Sequence, residues 1–399
     1  MLWGQQLDLD TLQPMRVLIL SSSTGGGHDM RAKSFVQWAE LDKMKSYGIE
    51  TFRYQGLEET SKLYGFGVGF YNLIQKKWPQ LHHLYFNFLE LFQISAHKRL
   101  LLGKAHYIQA LQAFRPDLIL SVHAHLNHAF REIAKDTLPK VKFVTYCGEM
   151  FGGYGFSRHW VDPGADAFIG ATKEICQAAI KLKMPNDQVL HGGFLLNPKF
   201  YQAQLNDSAK EALRTKLQLA ANQFTLLLST GANGALNHLS FIQALDRAGL
   251  SLQVIALCGK NAAALEQINT WQSSSGKITV RALGYRDDMF ELMQISDAIV
   301  ARPGTGTTSE SIMAACPILL NTLGGVMPQE WITVKYLRAQ GLAAKRIKQS
   351  KDLVPQVTEL IHQSEQQQMA RRAQMQDLQP QLHPKDIIEY LTHLQSGKA

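Results

Sequence analysis

Arg16-Val-Leu-Ile-Leu-Ser-Ser-Ser-Thr-Gly-Gly-Gly-His28 runs from a short apolar segment into a serine–glycine turn, then into a helical stretch reaching about Lys45. The same grammar returns at Phe224-Thr-Leu-Leu-Leu-Ser229. That run turns through Thr230-Gly-Ala-Asn-Gly234 and enters a helix carrying Phe241, Leu245 and Leu250. A strand that breaks into a glycine turn and then a helix opens a doubly wound α/β domain. Its second appearance, some two hundred residues later, calls for two such domains in tandem.

Further short apolar runs bounded by turns read as buried parallel strands. In the first half they are Asp117–Val122, Val141–Thr145 and Ala167–Gly170; in the second, Leu252–Leu257, Ile278–Ala282, Ala298–Ala301 and Pro317–Leu320. The boundary is expected within Gly192–Pro198 and the polar stretch after it. This gives one Rossmann-like domain over residues 1–200, a second over 201–380, and a terminal helix over 381–399 behind Pro380 and Pro384. The chain's 399 residues suit two cores, and two domains in one chain leave a crevice for ligands.

Composition narrows the function classes. The hydrophobic share is 45% and the charged share 19%, which is globular. A net charge of +8 attracts nucleic acid, anionic membrane or acidic small substrates alike. No long Lys/Arg tract or nucleic-acid-binding motif is present, so nucleic acid is not expected as a partner. Cys147, Cys176, Cys258 and Cys316 stand far apart in apolar surroundings. They read as free buried thiols of a reducing compartment, with no metal site. Residues 1–13 carry Asp8 and Asp10 and do not resemble a secretory signal. No apolar run reaches the length of a membrane span, so the expected location is the cytoplasm or a cytoplasmic membrane face.

The glycine loops carry the chemistry. Gly25, Gly26 and Gly27 let a ligand approach the backbone closely, and the helix behind them offers amides and a positive dipole end. His28, at that end, is suited to stay a neutral base; the plain alternative is a structural turn with a capping histidine. Neither glycine loop completes G-x-G-x-x-G, although Glu50 stands where a ribose-binding acid could, so NAD chemistry is set aside. The densest stretch is Arg302-Pro-Gly-Thr-Gly-Thr-Thr-Ser-Glu310. It supplies amides, hydroxyls and a dipole for a diphosphate, Arg302 as countercharge, and Glu310 as acceptor for vicinal ribose hydroxyls. A capping box with Glu at N3 is the simpler reading. Gln329 and Glu330 follow on a loop after the next strand and suit sugar hydroxyls.

The order of these motifs, with Gly-Lys-Asn at 259–261 and Gly-Tyr at 284–285, resembles glycosyltransferase family 28. Within it the likeness is to diacylglycerol galactosyl- and glucosyltransferases of the monogalactosyldiacylglycerol synthase type. The resemblance implies two Rossmann-like domains facing a cleft (GT-B type), a UDP-sugar donor held mainly by the second and a lipid acceptor by the first. It places Gly284 and Tyr285 at the uracil, Gly304, Thr305, Gly306 and Thr307 at the diphosphate, Glu310 at the ribose, and Gln329 and Glu330 at the donor sugar. Gly231, Asn233, Lys260 and Arg302 complete the expected donor set. Catalysis would invert the anomeric carbon, with no metal or cofactor beyond the UDP-sugar substrate.

Departures from the family fall near the expected base. Relatives usually place an aspartate directly after the Val-Thr strand end, where this chain has Thr145-Tyr-Cys-Gly-Glu149 and a glycine–aromatic insertion. His28 and Glu149 are therefore both candidates for the group that deprotonates the acceptor. Arg302 replaces a common lysine, and Thr333 an asparagine.

Residues 61–108 interleave Lys62, Lys76, Lys77, Lys98, Arg99 and Lys104 with Tyr64, Phe66, Phe70, Tyr71, Trp78, Tyr85, Phe86, Phe88 and Phe92. Cations among aromatics on helices suit the headgroup layer of an anionic membrane; the alternative is an aromatic core under a solvated face. The expected activity is hexosyl transfer from a UDP-sugar to a diacylglycerol-like lipid at the membrane surface. Two rivals share the architecture: a non-hydrolysing UDP-sugar epimerase, and a non-catalytic binder that keeps the UDP pocket.

Overall fold

The computed structural model describes residues 14–24, 26–77, 82–91, 97–229, 237–342 and 345–397. The chain divides into two compact units. One holds the chain up to Gln75, Leu84–Pro198 and Pro380–Ala399; the other holds Lys76–His83 and Lys199–Gln379.

The first unit is built on a six-stranded parallel sheet of order β2-β1-β3-β4-β5-β6. Its strands are β1 (Met15–Ser21), β2 (Ile49–Gln55), β3 (Leu118–Ser121), β4 (Lys142–Cys147), β5 (Ala167–Gly170) and β6 (Val189–His191). Helices α1 (Gly27–Ala39), α2 (Lys62–Lys77), α3 (His82–Leu91), α4 (Lys104–Phe114), α5 (His128–Thr137) and α6 (Lys173–Lys181) fill the connections. Val17, Leu18, Ile19 and Leu20 are all fully buried. A strand covered by helices on both faces needs a continuous apolar run rather than an alternating one.

The second unit repeats the plan with order β12-β11-β10-β7-β8-β9. Its strands are β7 (Thr225–Ser229), β8 (Leu252–Gly259), β9 (Ile278–Gly284), β10 (Ala298–Ala301), β11 (Ile318–Asn321) and β12 (Arg346–Ile347). The helices are α7 (Asp207–Lys216), α8 (His238–Arg247), α9 (Ala262–Asn269), α10 (Met289–Gln294), α11 (Thr305–Met313), α12 (Pro328–Ala339), α13 (Leu353–Ile361) and α14 (Glu365–Gln376).

In both sheets the chain leaves the first strand toward one edge and later returns to its other side. The strand order therefore reverses between β1 and β3, and again between β7 and β10. Crevices at such reversals, beyond the carboxyl ends of the strands, are where doubly wound folds bind ligands.

The terminal helix α15 (Pro384–Gln395) is not the separate element expected over 381–399. It belongs to the first unit, packs against α1, and accepts a 3.0 Å hydrogen bond on Glu389 from the Tyr47 hydroxyl. β6 and β12 were not legible as strands: each is short, at a sheet edge and partly solvent-facing.

Candidate functional site

The first unit gathers its chemistry around the β1/β3 reversal. Gly26 takes a left-handed φ of 79° and starts α1, so His28 stands in the first helical turn. Its Nδ1 lies 2.8 Å from the Val122 carbonyl. A carbonyl only accepts, so Nδ1 carries the proton and Nε2 keeps its lone pair. Burial, and next the Arg31 charge, lower the His28 pKa to about 3. This is a neutral imidazole of fixed tautomer.

The ring of His28 meets His123 edge-on at 4.3 Å between centroids and lies 5.7 Å from Trp160. His123 Nδ1 accepts from the His125 amide at 3.1 Å, which leaves Nε2–H to donate to Thr24 Oγ1 at 2.9 Å. Ring contacts continue from His125 to His159 at 5.0 Å and from His159 to His128 at 6.3 Å. Asn127 ties the cluster together. Its amide reaches the carbonyl of Ala124 at 3.0 Å and that of His159 at 2.8 Å, while its Oδ1 accepts from Thr145 at 3.0 Å. Burial lowers His123 and His125 well below the ordinary imidazole value. Among the described residues no group of His, Cys, Asp or Glu is arranged to hold a metal.

Glu149, beyond the end of β4, is 8% exposed, and its Oε2 has no hydrogen-bond partner among the described residues. Burial raises its pKa to about 6, against a lowering pull from Arg31. Glu58 braces the approach to the glycine turn. Its Oε1 accepts from the Ser22 and Ser23 hydroxyls, at 3.1 and 2.7 Å, and from the Ser23 amide at 2.8 Å. Sequence reading did not single out Arg31, Glu58, His123, His125, Asn127 or His159. The available signal was the imidazole-dense run Val122–His128 directly after a parallel strand.

In the second unit the β7/β10 reversal carries the dense glycine–threonine loop. Gly304 caps α11 with extended backbone and no side-chain hydrogen bond, so Thr305, Gly306 and Thr307 form an N-terminal turn without a side-chain cap. The capping-box alternative falls, because Glu310 lies beyond N3, in the second turn. The Glu310 carboxylate makes no hydrogen bond or ion pair among the described residues, and burial raises its pKa to about 7. Tyr285, just past β9, is 73% exposed and presents a bare aromatic ring beside Gly284. Lys260 is exposed at the start of α9, whose cap is the Asn261 side chain, accepting from Ala264 N–H at 3.1 Å.

Two expectations change. Arg302 is not available as a diphosphate countercharge. Its guanidinium binds both Glu330 oxygens, at 2.7 and 2.6 Å, and donates to the carbonyls of Leu323 at 2.9 Å and Gly325 at 2.7 Å. Glu330 in turn accepts from Met327 N–H at 2.9 Å and is buried, so its carboxylate is engaged within the protein rather than held open for a sugar. The pair staples the β10–α11 loop to the β11–α12 loop. Gln329 and Glu330 also lie in the first turn of α12 rather than on a loop, with Gln329 half-exposed. Gly25, Gly231 and Asn233 lie outside the described residues.

On α2 the residues Leu63, Phe66, Phe70 and Leu73 form an exposed stripe at helical spacing, Leu63 at 63% and Phe66 at 74% exposure. Tyr64, by contrast, packs against the core. Lys62 and Arg99 are exposed, whereas Lys98 pairs with Asp136. Trp78 and Phe92, with the side chains of Lys76, Lys77, Tyr85 and Phe88, lie outside what the structure describes. No helix among the described residues is long and apolar enough to cross a membrane.

Two doubly wound units with glycine loops at the sheet-order reversals give the GT-B fold. The chain superposes on the crystal structure of MurG from Acinetobacter baumannii with a TM-score of 0.61 at 14% identity, covering 94% of this chain and 99% of that one. HepE from Anabaena, solved in complex with UDP, gives 0.53 at 14% identity over 96% and 100%. Residues 225–391 match the glycosyltransferase family 28 C-terminal domain. It is 23% identical to a processive diacylglycerol beta-glucosyltransferase of Bacillus pumilus over 94% of both chains. It is 26% identical to monogalactosyldiacylglycerol synthase 3 of Arabidopsis thaliana over 76% of this chain and 66% of that one.

Proposed function

We propose that this glycosyltransferase moves a hexosyl group from a UDP-sugar to the hydroxyl of a diacylglycerol-like lipid, with inversion, while lying on an anionic membrane surface. The observation that carries the reading is His28, a neutral imidazole whose Nδ1–H is spent on Val122 and whose Nε2 is left as a base. The acceptor hydroxyl gives its proton to Nε2 as its oxygen bonds to the anomeric carbon. The bond from that carbon to the β-phosphate oxygen breaks, and UDP departs with the electron pair. Amides of the first α11 turn and the helix dipole stabilise the developing charge. Glu310 holds the ribose hydroxyls, Tyr285 stacks on uracil, and Gln329 rather than Glu330 meets the sugar. Chemistry of this kind needs no resident cofactor. The names of the relatives and the α2 stripe support a lipid acceptor and a peripheral cytoplasmic location.

The test is purified enzyme with radiolabelled UDP-glucose or UDP-galactose and vesicles containing diacylglycerol. Label extracted into the lipid phase, dependent on diacylglycerol, is the expected result. UDP released or sugar epimerised without an acceptor would overturn it, and UDP binding without turnover would leave only the binding-protein rival.

A further inference from the structure

Arg31 has no part in the mechanism above, yet it is 4% exposed and ionised. A buried guanidinium is costly unless its surroundings are built for it. Here they are. Its Nη2 donates to the Gly148 carbonyl at 2.8 Å. A Cβ on Gly148 would stand 2.0 Å from Nε, and one on Gly27 would be 3.7 Å from Nη1. The guanidinium thus lies between the glycine turn of α1 and the chain leaving β4. His28 precedes Arg31 by one helical turn, and Glu149 follows the residue that Arg31 grips.

We propose that Arg31 is a positioning residue of the transfer reaction, its guanidinium lodged on the Gly148 carbonyl between the helical turn that carries His28 and the segment that carries Glu149. The proposal rests on the reading of His28 as base. Its charge disfavours a proton on His28 and favours the Glu149 carboxylate, and it acts on both. The other titratable groups facing this centre are Tyr146 and Cys147 on β4, and His123 and His125 after β3. The first two are held un-ionised by burial and the histidines are held neutral, so Arg31 is the one fixed charge among these facing groups. The pattern suits a chain that carries Glu149 on a longer side chain, in apolar surroundings that push its proton affinity up.

Removing the charge raises the proton affinity of both groups. With the Glu149 carboxylate orienting the acceptor hydroxyl toward His28, the acid limb of kcat/KM follows Glu149, whose pKa burial raises to about 6, and loss of the Arg31 charge moves that limb to higher pH. The experiment is a pH profile of lipid glycosylation for Arg31→Gln and Arg31→Lys with the donor that turns over. Arg31→Gln should lie about threefold below wild type at pH 6.5 and about tenfold below it at pH 5, and recover by about pH 8.5, the factors expected for a one-unit shift of the limb. KM for the UDP-sugar should be unchanged, and Arg31→Lys should keep the limb near its wild-type place. Superimposable profiles after scaling would overturn the proposal, as would a lysine variant that shifts like the glutamine one. If Arg31→Gln fails to fold, Gly148→Ala displaces the guanidinium without removing it and should move the limb the same way; an unmoved limb there overturns it too. His28→Ala separates the layers. Full turnover in that variant refutes the base assignment, while a dead His28→Ala beside an unshifted Arg31→Gln refutes only Arg31.

Discussion

His28 shows how one backbone carbonyl decides the chemistry of a side chain. The Val122 oxygen fixes the tautomer, and burial keeps the ring neutral, so the lone pair is ready across the working pH range. His28→Ala should lower kcat by about 10²–10⁴-fold, the usual worth of a general base, with UDP affinity unchanged by calorimetry. A proportional loss of UDP affinity would move His28 out of the acceptor site. Glu310 is the counterpart in the donor loop. Its pKa, raised to about 7 by burial, makes the ionised form fade as pH falls through neutrality. UDP affinity should therefore drop between pH 8 and pH 6 in the wild type. Glu310→Gln should bind about 10–100-fold more weakly at pH 8, matching a lost hydrogen bond to a charged group, and lose the pH dependence. Uracil, which lacks the ribose, should bind both proteins alike.

Among the elements, the loops after β10 and β11 depend on each other through Arg302 and Glu330. Glu330→Ala leaves a guanidinium without its carboxylate and should cost on the order of 3 kcal/mol, read as a lower denaturant midpoint. A midpoint unchanged within error would restore Glu330 to the free acceptor the sequence suggested. Helix α2 offers a different case. Val68 is buried and Tyr64 packs against the core, while Leu63, Phe66, Phe70 and Leu73 are exposed, an unusual density of large apolar groups on one helical face. Phe66→Asp with Phe70→Asp should abolish sedimentation with anionic vesicles while leaving UDP binding intact. Vesicle binding at wild-type strength would assign the stripe elsewhere. Salt should weaken the wild-type interaction only in part, because Lys62 and Arg99 are exposed cations but Lys98 is spent on Asp136.

For the molecule as a whole, the two units should respond differently to acid. His28, His123 and His125 are held neutral in the first unit, with folded pKa values below the unfolded 6.5. Their contribution is complete above that value and is lost as pH falls below it, by about 1.4 kcal/mol per pH unit for each buried ring. Among the described residues of the second unit one histidine, His238, is lowered, to about 4, and Glu310, raised to about 7, shifts the balance the other way. Hydrogen exchange from pH 7 to pH 5 should thus show the first unit opening first; equal loss in both would refute this account of the cluster. The architecture was open to the sequence because parallel strands and glycine turns are local patterns: a continuous apolar run followed by Gly-Gly-Gly or Gly-Thr-Gly needs no distant partner to be recognised. His28, Tyr285 and Glu310 could be named for the same reason, as they sit inside those patterns. Arg31 against Gly148, the imidazole cluster held by Asn127, and the Arg302–Glu330 staple could not. Each joins residues far apart in the chain, and whether a charged side chain faces a ligand or another side chain is settled by which loops the sheet order sets side by side. The fold followed from periodicity, while the state of each site group followed from desolvation and neighbours that only the folded chain supplies.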